Sequence, residues 1–350
     1  IFFISYYINY MKMNYIITGG SGFLGSEICK LLYKKKIDFI NIDINKPLNL
    51  IEHYRKADLN KIDSYKDLIK KNCIVIHCAA SVPLKKGRFK EDNFYSTKNL
   101  AEICLSKEVK KFIYISSSAI CGIPLKNPIK ENDVNIPIDP YGLSKKKSEE
   151  FCESLISKGL PLTIIRPRTI MGIGRLGLFS ILFNWIINNR NIPVFNSGSN
   201  YYQFIDYEDC VDCIYLASKS SLNDTFNIGA KDFCSIRETI EALIKYSNSN
   251  SKIRNIKFGI VIKITDFLSK CKLLPFQEYQ IKAYGSSIYF DNCKAKLLLN
   301  WQPKFSNKET VMKSFKYFIE NSDKEIISNK SIQSSYIKNK FLTFLNLIFL

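Results

Sequence analysis

A tyrosine and a lysine lie four positions apart in the segment Pro140-Tyr141-Gly142-Leu143-Ser144-Lys145. In a helix this spacing places both side chains on one face, one turn apart. A tyrosine with its ordinary pKa of about 10 carries protons poorly near neutrality, and a neighbouring ammonium favours the phenolate. We therefore expect Lys145 to lower the pKa of Tyr141 and prepare it for acid–base work on a hydroxyl group. The Tyr-x-x-x-Lys pattern alone is common by chance in a lysine-rich chain.

Three consecutive serines at 116–118 follow the apolar run 111–115. This run predicts a strand, and the serines lie where it ends. In open α/β sheets ligands collect at the carboxyl ends of the strands. A serine hydroxyl there can hydrogen-bond a substrate hydroxyl or carbonyl oxygen while Tyr141 moves the proton. The residues alone do not say which serine does so, and we expect two of the three only to cap a turn.

A glycine-rich loop, Thr18 to Gly25 (TGGSGFLG), lies between a predicted strand at 15–18 and a predicted helix. Gly19 would allow a tight turn, Gly22 a close approach of backbone amides to a pyrophosphate, and Gly25 close packing of the helix on the strand. The helix N-terminus adds unsatisfied donors and partial positive charge. The loop therefore predicts a dinucleotide-binding site.

Asp43 ends the second predicted strand, 18 positions after Gly25. It can accept hydrogen bonds from ribose hydroxyls and would repel a 2′-phosphate. Lys46 is the nearby cation in the sequence, and no arginine follows Asp43 directly. The cofactor is therefore predicted to be NAD, with NADP the less favoured alternative.

Strands and helices alternate through the first half of the chain, which predicts a parallel sheet covered on both faces. We predict an α/β fold of the Rossmann type, a doubly wound parallel sheet with a smaller C-terminal substrate-binding lobe. The predicted helices of the first half lie near 62–71, 91–106 and 141–158. Further helices are predicted near 178–189, 208–218, 236–247 and 261–270. The NAD-binding domain is assigned to 13–169, with 206–230 returning to it, and the substrate-binding lobe to 170–205 and 231–323.

Composition excludes some functions. The net charge of +19 comes mostly from lysine, because only eight of the 51 basic residues are arginines, and no basic stripe with interleaved aromatics occurs. We therefore expect a solvated lysine surface and no nucleic-acid partner. Eleven cysteines scattered along the chain favour reduced thiols and a cytoplasmic protein. With His53 and His77 as its only histidines, the chain is expected to hold no metal.

Both ends of the chain are anomalous. Residues 1–12 are treated as a doubtful N-terminal extension, since the apolar residues before Met11 have neither a basic segment nor a cleavage site. Residues 324–350 form a polar linker and an apolar tail. The run 341–350 could act as an interfacial anchor, but membrane contact is not expected.

Several landmarks occur in an order that resembles one family, the NAD-dependent epimerase/dehydratase group of the extended short-chain dehydrogenases/reductases. The resemblance covers about residues 14–320. Its landmarks are TGGSGFLG at 18–25, Asp43, Ala57-Asp58-Leu59, HCAA at 77–80, Asn93, SSSAICG at 116–122, YGLSK at 141–145, Ile165-Arg166-Pro167, QFIDYED at 203–209, FNIG at 226–229 and LNWQP at 299–303.

The resemblance implies roles for individual residues. Counting back from Gly122, it assigns Ser117 to orient the substrate, Tyr141 as acid/base and Lys145 to hold the nicotinamide ribose. It implies a nucleotide-sugar substrate, a homodimer and a structural role for Asp209. The implied cofactor-binding residues are Gly19, Gly22, Phe23, Leu24, Gly25, Asp43, Asp58, Leu59, Ala79, Ala80, Asn93 and Lys145.

Departures from the family pattern narrow the range of reactions that we expect of this chain. Sugar 4,6-dehydratases of the family carry an Asp-Glu pair after the catalytic serine or threonine, whereas Ser118-Ala119 stands here. We therefore expect an epimerase and not a 4,6-dehydratase. The weakly polar segment 80–84 and several aromatic residues leave open a reductase or dehydrogenase of a more hydrophobic alcohol, resembling hydroxysteroid or flavonol enzymes. A non-catalytic nicotinamide-sensing protein is the third alternative.

Overall fold

Seven parallel strands form one sheet in a computed structural model that describes residues 15–81, 89–176, 179–259 and 285–327. The first six in the chain are β1 (Tyr15–Thr18), β2 (Phe39–Asp43), β3 (Tyr54–Lys56), β4 (Ile74–His77), β5 (Lys111–Ile115) and β6 (Leu162–Pro167), and the seventh is β10 (Thr225–Ile228). Their order across the sheet is β3-β2-β1-β4-β5-β6-β10. This is the order of a doubly wound Rossmann sheet, extended by one strand, and the predicted fold class is confirmed.

The strands read as continuous apolar runs because helices cover both faces of the sheet. The helices of this half are α1 (Phe23–Lys34), α2 (Phe89–Ser106), α3 (Pro140–Ser154) and α5 (Tyr207–Lys219). One core cluster lies between the sheet and α1 and α5, and a second lies between the sheet and α2 and α3. The helix predicted near 62–71 is wrong, since two short 3₁₀ turns, Ile62–Ser64 and Lys66–Leu68, occupy it.

A smaller lobe lies beyond β6. It contains β7 (Thr169–Met171), α4 (Phe179–Ile187), β8 (Ile192–Phe195), β9 (Phe204–Asp206), α6 (Ile236–Tyr246), β11 (Ile253–Ile256) and, after the short helix α7 (Cys293–Leu298), helix α8 (Asn307–Ile327). Helix α7 lies within the predicted lobe but packs on the sheet, since Ala295 belongs to the core cluster of α1 and α5. Strand β8 pairs with β11 and β7 with β9, both in parallel. Helix α8 continues four residues past the predicted lobe end at 323. The end segments 1–12 and 341–350 and the helix predicted near 261–270 lie outside the described residues.

A buried ion pair and a buried carboxylate each connect neighbouring segments of the fold. Arg166 on β6 donates from Nη2 to Oε2 of Glu149 on α3 at 2.7 Å, and both side chains are buried. Asp209 on α5 accepts backbone N–H groups of Lys304 (2.8 Å) and Phe305 (3.0 Å) with its two carboxylate oxygens. Asp209 thus ties the C-terminal segment to α5, in line with the structural role implied by the resemblance.

Candidate functional site

The glycine loop is shaped by close backbone contacts. Gly19 has φ +74°, and a Cβ added there would lie 2.5 Å from the backbone nitrogen of Ala79. A Cβ on Gly25 would lie 2.2 Å from the carbonyl oxygen of Gly19. Side chains are therefore excluded at both positions, because the loop passes directly against the turn after β4 and folds back on the start of α1.

The start of α1 has the features of an anion site. Its first residue, Phe23, follows Gly22, which caps the helix without a side-chain hydrogen bond. The opening N–H groups of a helix have no acceptor in the helix itself, so they can point toward a pyrophosphate. Leu24 is buried in the core, so its contribution to such a ligand would be through its backbone.

Asp43 at the end of β2 is fixed to the glycine loop. Its Oδ2 accepts the backbone N–H of Ser21 at 3.1 Å, and its Oδ1 accepts that of Asn45 at 2.8 Å. Each carboxylate oxygen has a second lone pair, so both can also accept ribose hydroxyls. The charge of Asp43 is thus held beside the loop at the position where the sequence predicted it.

Some of the remaining predicted cofactor residues are accessible to a ligand, and the others are buried beneath them. Ala79 is partly exposed and Ala80 exposed, directly after β4, and Asp58 is partly exposed after β3. Leu59 is instead buried in the core. Asn93 is also buried, and its side-chain amide accepts from the Ser81 N–H (2.7 Å) and donates to the Ser81 carbonyl oxygen (2.9 Å). Asn93 therefore fixes the turn that contains Ala79 and Ala80.

Burial distinguishes the three serines at 116–118 and shows which hydroxyl can reach a ligand. Ser116 and Ser118 are buried, whereas Ser117 is partly exposed. Ser117 also accepts the N–H of Ala119 at 3.1 Å, so the residue expected to orient the substrate also caps the turn, contrary to the sequence expectation that the other two do this. Its hydroxyl proton remains free to be donated, because capping uses only a lone pair.

Helix α3 brings Tyr141 to Ser117. Asp139 caps the helix by accepting the N–H of Gly142 at 2.6 Å. A Cβ on Gly142 would lie 2.4 Å from the carbonyl oxygen of Ala119, so the first turn of α3 packs directly on the turn after Ser117. The Ser117 hydroxyl acts on the Tyr141 phenol in the direction that favours the phenolate and lowers its pKa.

Lys145 lies one turn along α3 and is buried. Its Nζ donates to the carbonyl oxygen of Ile115, the last residue of β5, at 2.8 Å. Burial lowers the pKa of Lys145 to about 8. An ammonium has three donors, so two remain for a ligand at this edge of the sheet.

The expected effect of Lys145 on Tyr141 is not what the structure shows. Burial raises the pKa of Tyr141 to about 12, and the nearby Asp139 carboxylate acts in the same direction. The cation that lowers this pKa is Arg175, while Lys145 Nζ lies 6.0 Å from the centre of the Tyr141 ring and is directed to β5. Arg175 could not be recognised from the sequence as part of this set, because it lies far from the Tyr-x-x-x-Lys pattern.

His77, the first residue of the HCAA landmark, is structural. It is fully buried at the end of β4, with Nδ1 2.7 Å from Thr18 Oγ1 and Nε2 2.9 Å from Thr97 Oγ1. Thr97 donates its hydroxyl to the carbonyl oxygen of Asn93, so it accepts from Nε2–H of a neutral imidazole. Burial lowers the pKa of His77 to about 3, which agrees with this tautomer.

The parallel register places the glycine loop, Asp43, the turn after β4, Ser117 and the start of α3 at one edge of the sheet. Among the described residues no group of three or more His, Cys, Asp or Glu side chains is arranged to hold a metal ion. Within the same ranges, no helix combines the length and apolarity needed to cross a bilayer.

Comparisons with known proteins show which family the chain resembles in sequence. The model of the NAD dependent epimerase/dehydratase family matches residues 15–229. A protein of Sinorhizobium fredii named y4nG is 31% identical over 310 residues, covering 87% of this chain and 78% of that protein. UDP-glucuronate 4-epimerase of Thermodesulfobacterium geofontis is 24% identical, covering 88% of this chain and 96% of that enzyme.

Solved structures show the same fold. The structure of Thermotoga maritima UDP-glucose 4-epimerase with UDP-glucose has a TM-score of 0.71 at 22% identity and covers 89% of this chain and 100% of its own. The family model spans more than half of the chain and includes every residue of the site described above. The chain belongs to the NAD-dependent epimerase/dehydratase family.

Proposed function

We propose that the protein is an NAD-dependent epimerase that isomerises a nucleotide sugar at a Ser117–Tyr141–Lys145 site. The observation that carries the proposal is the shared sheet edge: the first turn of α3, which holds Tyr141, packs on the turn that follows Ser117, and Lys145 is hydrogen-bonded to the last residue of β5, two positions before Ser117. Relatives named as UDP-glucose and UDP-glucuronate 4-epimerases support a nucleotide sugar as the substrate.

The residues of the loop fit a bound NAD. The first amides of α1 and the side-chain-free Gly19 and Gly25 would accommodate the pyrophosphate, and Asp43 would accept the adenosine ribose hydroxyls. A free donor of Lys145 would hold the nicotinamide ribose. NAD supplies reversible acceptance of a hydride and a positive nicotinamide ring, whose charge favours the Tyr141 phenolate against the effect of burial.

Side chains of the protein hold and move the proton of the reacting sugar hydroxyl. Ser117 donates to the reacting oxygen of the sugar and fixes it against Tyr141. The Tyr141 oxygen takes the hydroxyl proton as the sugar carbon loses its hydride, and returns the proton when the hydride adds to the opposite face of the resulting carbonyl carbon, which inverts that carbon. Epimerisation therefore consumes no cofactor. Ser118 and Ala119 carry no group that could remove a second proton to eliminate water, so the proposal excludes 4,6-dehydration.

Tyr141→Phe tests this mechanism. The variant keeps the ring and loses the proton carrier, so isomerisation of UDP-glucose or UDP-glucuronate should fall by a factor of about 10² to 10⁴, with an unchanged melting temperature. Tyr95→Phe, at an exposed position of α2, is the matched control. Full activity of Tyr141→Phe would refute the mechanism, and NADH consumption in proportion to product would favour the reductase alternative.

We also propose a homodimer. Apolar side chains are exposed on and before α3, namely Val134 (79%), Ile136 (54%), Ile138 (43%) and Leu143 (41%). Contiguous exposed apolar surface of this kind is typical of protein interfaces.

The ten cysteines in the described ranges are all free thiols, which supports residence in the reducing cytoplasm.

A further inference from the structure

The turn after β7 lies against the first residue of the cofactor-binding helix. In this turn the N–H of Arg175 donates to the carbonyl oxygen of Gly172 at 3.0 Å. A Cβ on Gly172 would lie 2.3 Å from the ring of Tyr207, and a Cβ on Gly174 would lie 3.7 Å from Cε2 of Phe23. The turn therefore packs on the start of α5 and reaches the start of α1.

The side chain of Arg175 continues toward α1. Its guanidinium carbon lies 5.6 Å from the centre of the Phe23 ring, and Phe23 is the first residue of α1. This ring is held edge-to-face by Tyr207, with centroids 5.6 Å apart. Attraction between a cation and a ring uses no hydrogen bond, so the guanidinium donors stay available. A cation is thus held beside the helix N-terminus.

Arg175 is free to bind a ligand. Within the described part of the chain it forms neither an ion pair nor a side-chain hydrogen bond. Arg166 and Arg237, by contrast, pair with Glu149 and Glu241. Because Arg175 is also exposed, an anion can approach it without displacing a partner in the described ranges.

The glycine loop supplies little positive charge of its own. Positions 18–26 contain no lysine or arginine, and a helix N-terminus contributes only about half a positive charge. Asp43, which is hydrogen-bonded to the loop, adds a negative charge. Since the pyrophosphate of a dinucleotide is a dianion, a guanidinium beside the first turn of α1 would stabilise it through charge-assisted hydrogen bonds.

We infer that Arg175 binds the pyrophosphate of the NAD cofactor. The inference rests on the NAD site of the proposed function, but neither on the identity of the sugar nor on the outcome of hydride transfer. Guanidinium N–H groups match phosphate oxygens as a two-hydrogen-bond pair. Bound NAD then bridges α1 and the turn after β7, so a residue of the smaller lobe completes the cofactor site.

Binding of NAD to the full chain, measured by calorimetry, tests this assignment. Arg175→Met keeps an aliphatic side chain over Phe23 and removes the charge. It should weaken NAD affinity about tenfold, at the low end for hydrogen bonds to a charged group because the side chain is exposed. The difference from the wild type should shrink as the NaCl concentration is raised.

Two further variants separate charge from structure. Arg175→Lys should restore part of the NAD affinity, since it keeps the charge without the planar fork. Arg254→Met, at an exposed position of β11, is the matched control and should bind NAD like the wild type.

Shorter ligands locate the contact. ADP-ribose contains both the adenosine and the pyrophosphate of NAD, whereas adenosine lacks the pyrophosphate. Arg175→Met should lose affinity for ADP-ribose by a factor similar to that for NAD, and should bind adenosine like the wild type. Equal losses for ADP-ribose and adenosine would show that the substitution disturbs the loop, and would refute a phosphate contact.

Other outcomes also overturn the inference. An unchanged NAD affinity of Arg175→Met would refute it alone and leave the NAD site intact. Wild-type protein without NAD affinity would instead overturn the NAD site together with the inference. A loss confined to UDP-glucose or UDP-glucuronate, titrated with NAD present, would place Arg175 on the substrate and not on the cofactor.

Discussion

Burial separates the roles of residues that the sequence leaves equivalent. The serine triplet becomes one partly exposed hydroxyl, Ser117, between two buried ones. Desolvation also reverses the expected pKa shift of Tyr141, because burial destabilises the phenolate more than the nearby cation stabilises it. The catalytic tyrosine of the proposal is therefore protonated at neutral pH until a ligand adds positive charge.

His77 makes a pH-dependent contribution to stability. Its pKa is about 3 in the folded protein and 6.5 ordinarily, so between these values the unfolded chain binds a proton that the folded chain does not. The free energy of unfolding should therefore fall as the pH falls from about 6.5 toward 3, by at most about 4–5 kcal/mol at about 1.4 kcal/mol per pKa unit. Urea unfolding across this range measures the effect.

His77→Gln isolates this contribution. A glutamine amide can still donate to Thr97 and accept from Thr18, but it does not titrate. The variant should lose much of the acid dependence of the wild type between pH 6.5 and 3. An unchanged profile in His77→Gln would mean that other groups dominate acid unfolding.

At the scale of elements, the glycine loop depends on contacts with two neighbouring segments. Gly19→Ala combines left-handed strain, about 1–2 kcal/mol, with a Cβ only 2.5 Å from the Ala79 backbone. We expect a melting temperature several degrees lower and a large loss of NAD affinity, because the loop must move from β4. Calorimetry and cofactor titration measure both.

Gly159→Ala is the matched control for Gly19→Ala. Gly159 has φ +102°, but nothing lies within 4 Å of a Cβ added there, so the variant has backbone strain without a clash. It should be destabilised by the backbone strain alone, about 1–2 kcal/mol, and should bind NAD like the wild type. Equal NAD affinities of Gly19→Ala and Gly159→Ala would contradict the role of the loop.

Most elements near the sheet could be predicted because their patterns are local. Helices predicted near 91–106, 208–218 and 236–247 are observed at Phe89–Ser106, Tyr207–Lys219 and Ile236–Tyr246. The segment 62–71 has apolar residues at helical spacing, but Tyr65 and Ile69 are buried through two 3₁₀ turns. Arg175 could not be predicted, because its position depends on Gly172 packing against Tyr207 across the fold.

At the scale of the whole molecule, the two lobes are joined by buried polar bonds. Gln203, fully buried, donates to the carbonyl oxygen of Ala230 at 3.1 Å and accepts from the N–H of Phe290 at 2.8 Å. Asn292 donates to the carbonyl oxygens of Gly229 and Ala230. Because buried polar groups are costly unless paired, these bonds fix the segment 285–292 against the end of β10, beside the site.

The exposed apolar residues before α3 lead to a prediction about the oligomeric state of the protein. Charges at exposed positions change the folded monomer little, but they are costly in a dry interface. The Val134→Asp/Ile136→Asp double variant should therefore be monomeric at concentrations where the wild type is a dimer, with a similar far-UV spectrum. Light scattering after size exclusion measures this. Leu297→Asp, 80% exposed on α7, should remain dimeric. A monomeric wild type, or a double variant that stays dimeric, would show that copies of the chain do not associate through this surface.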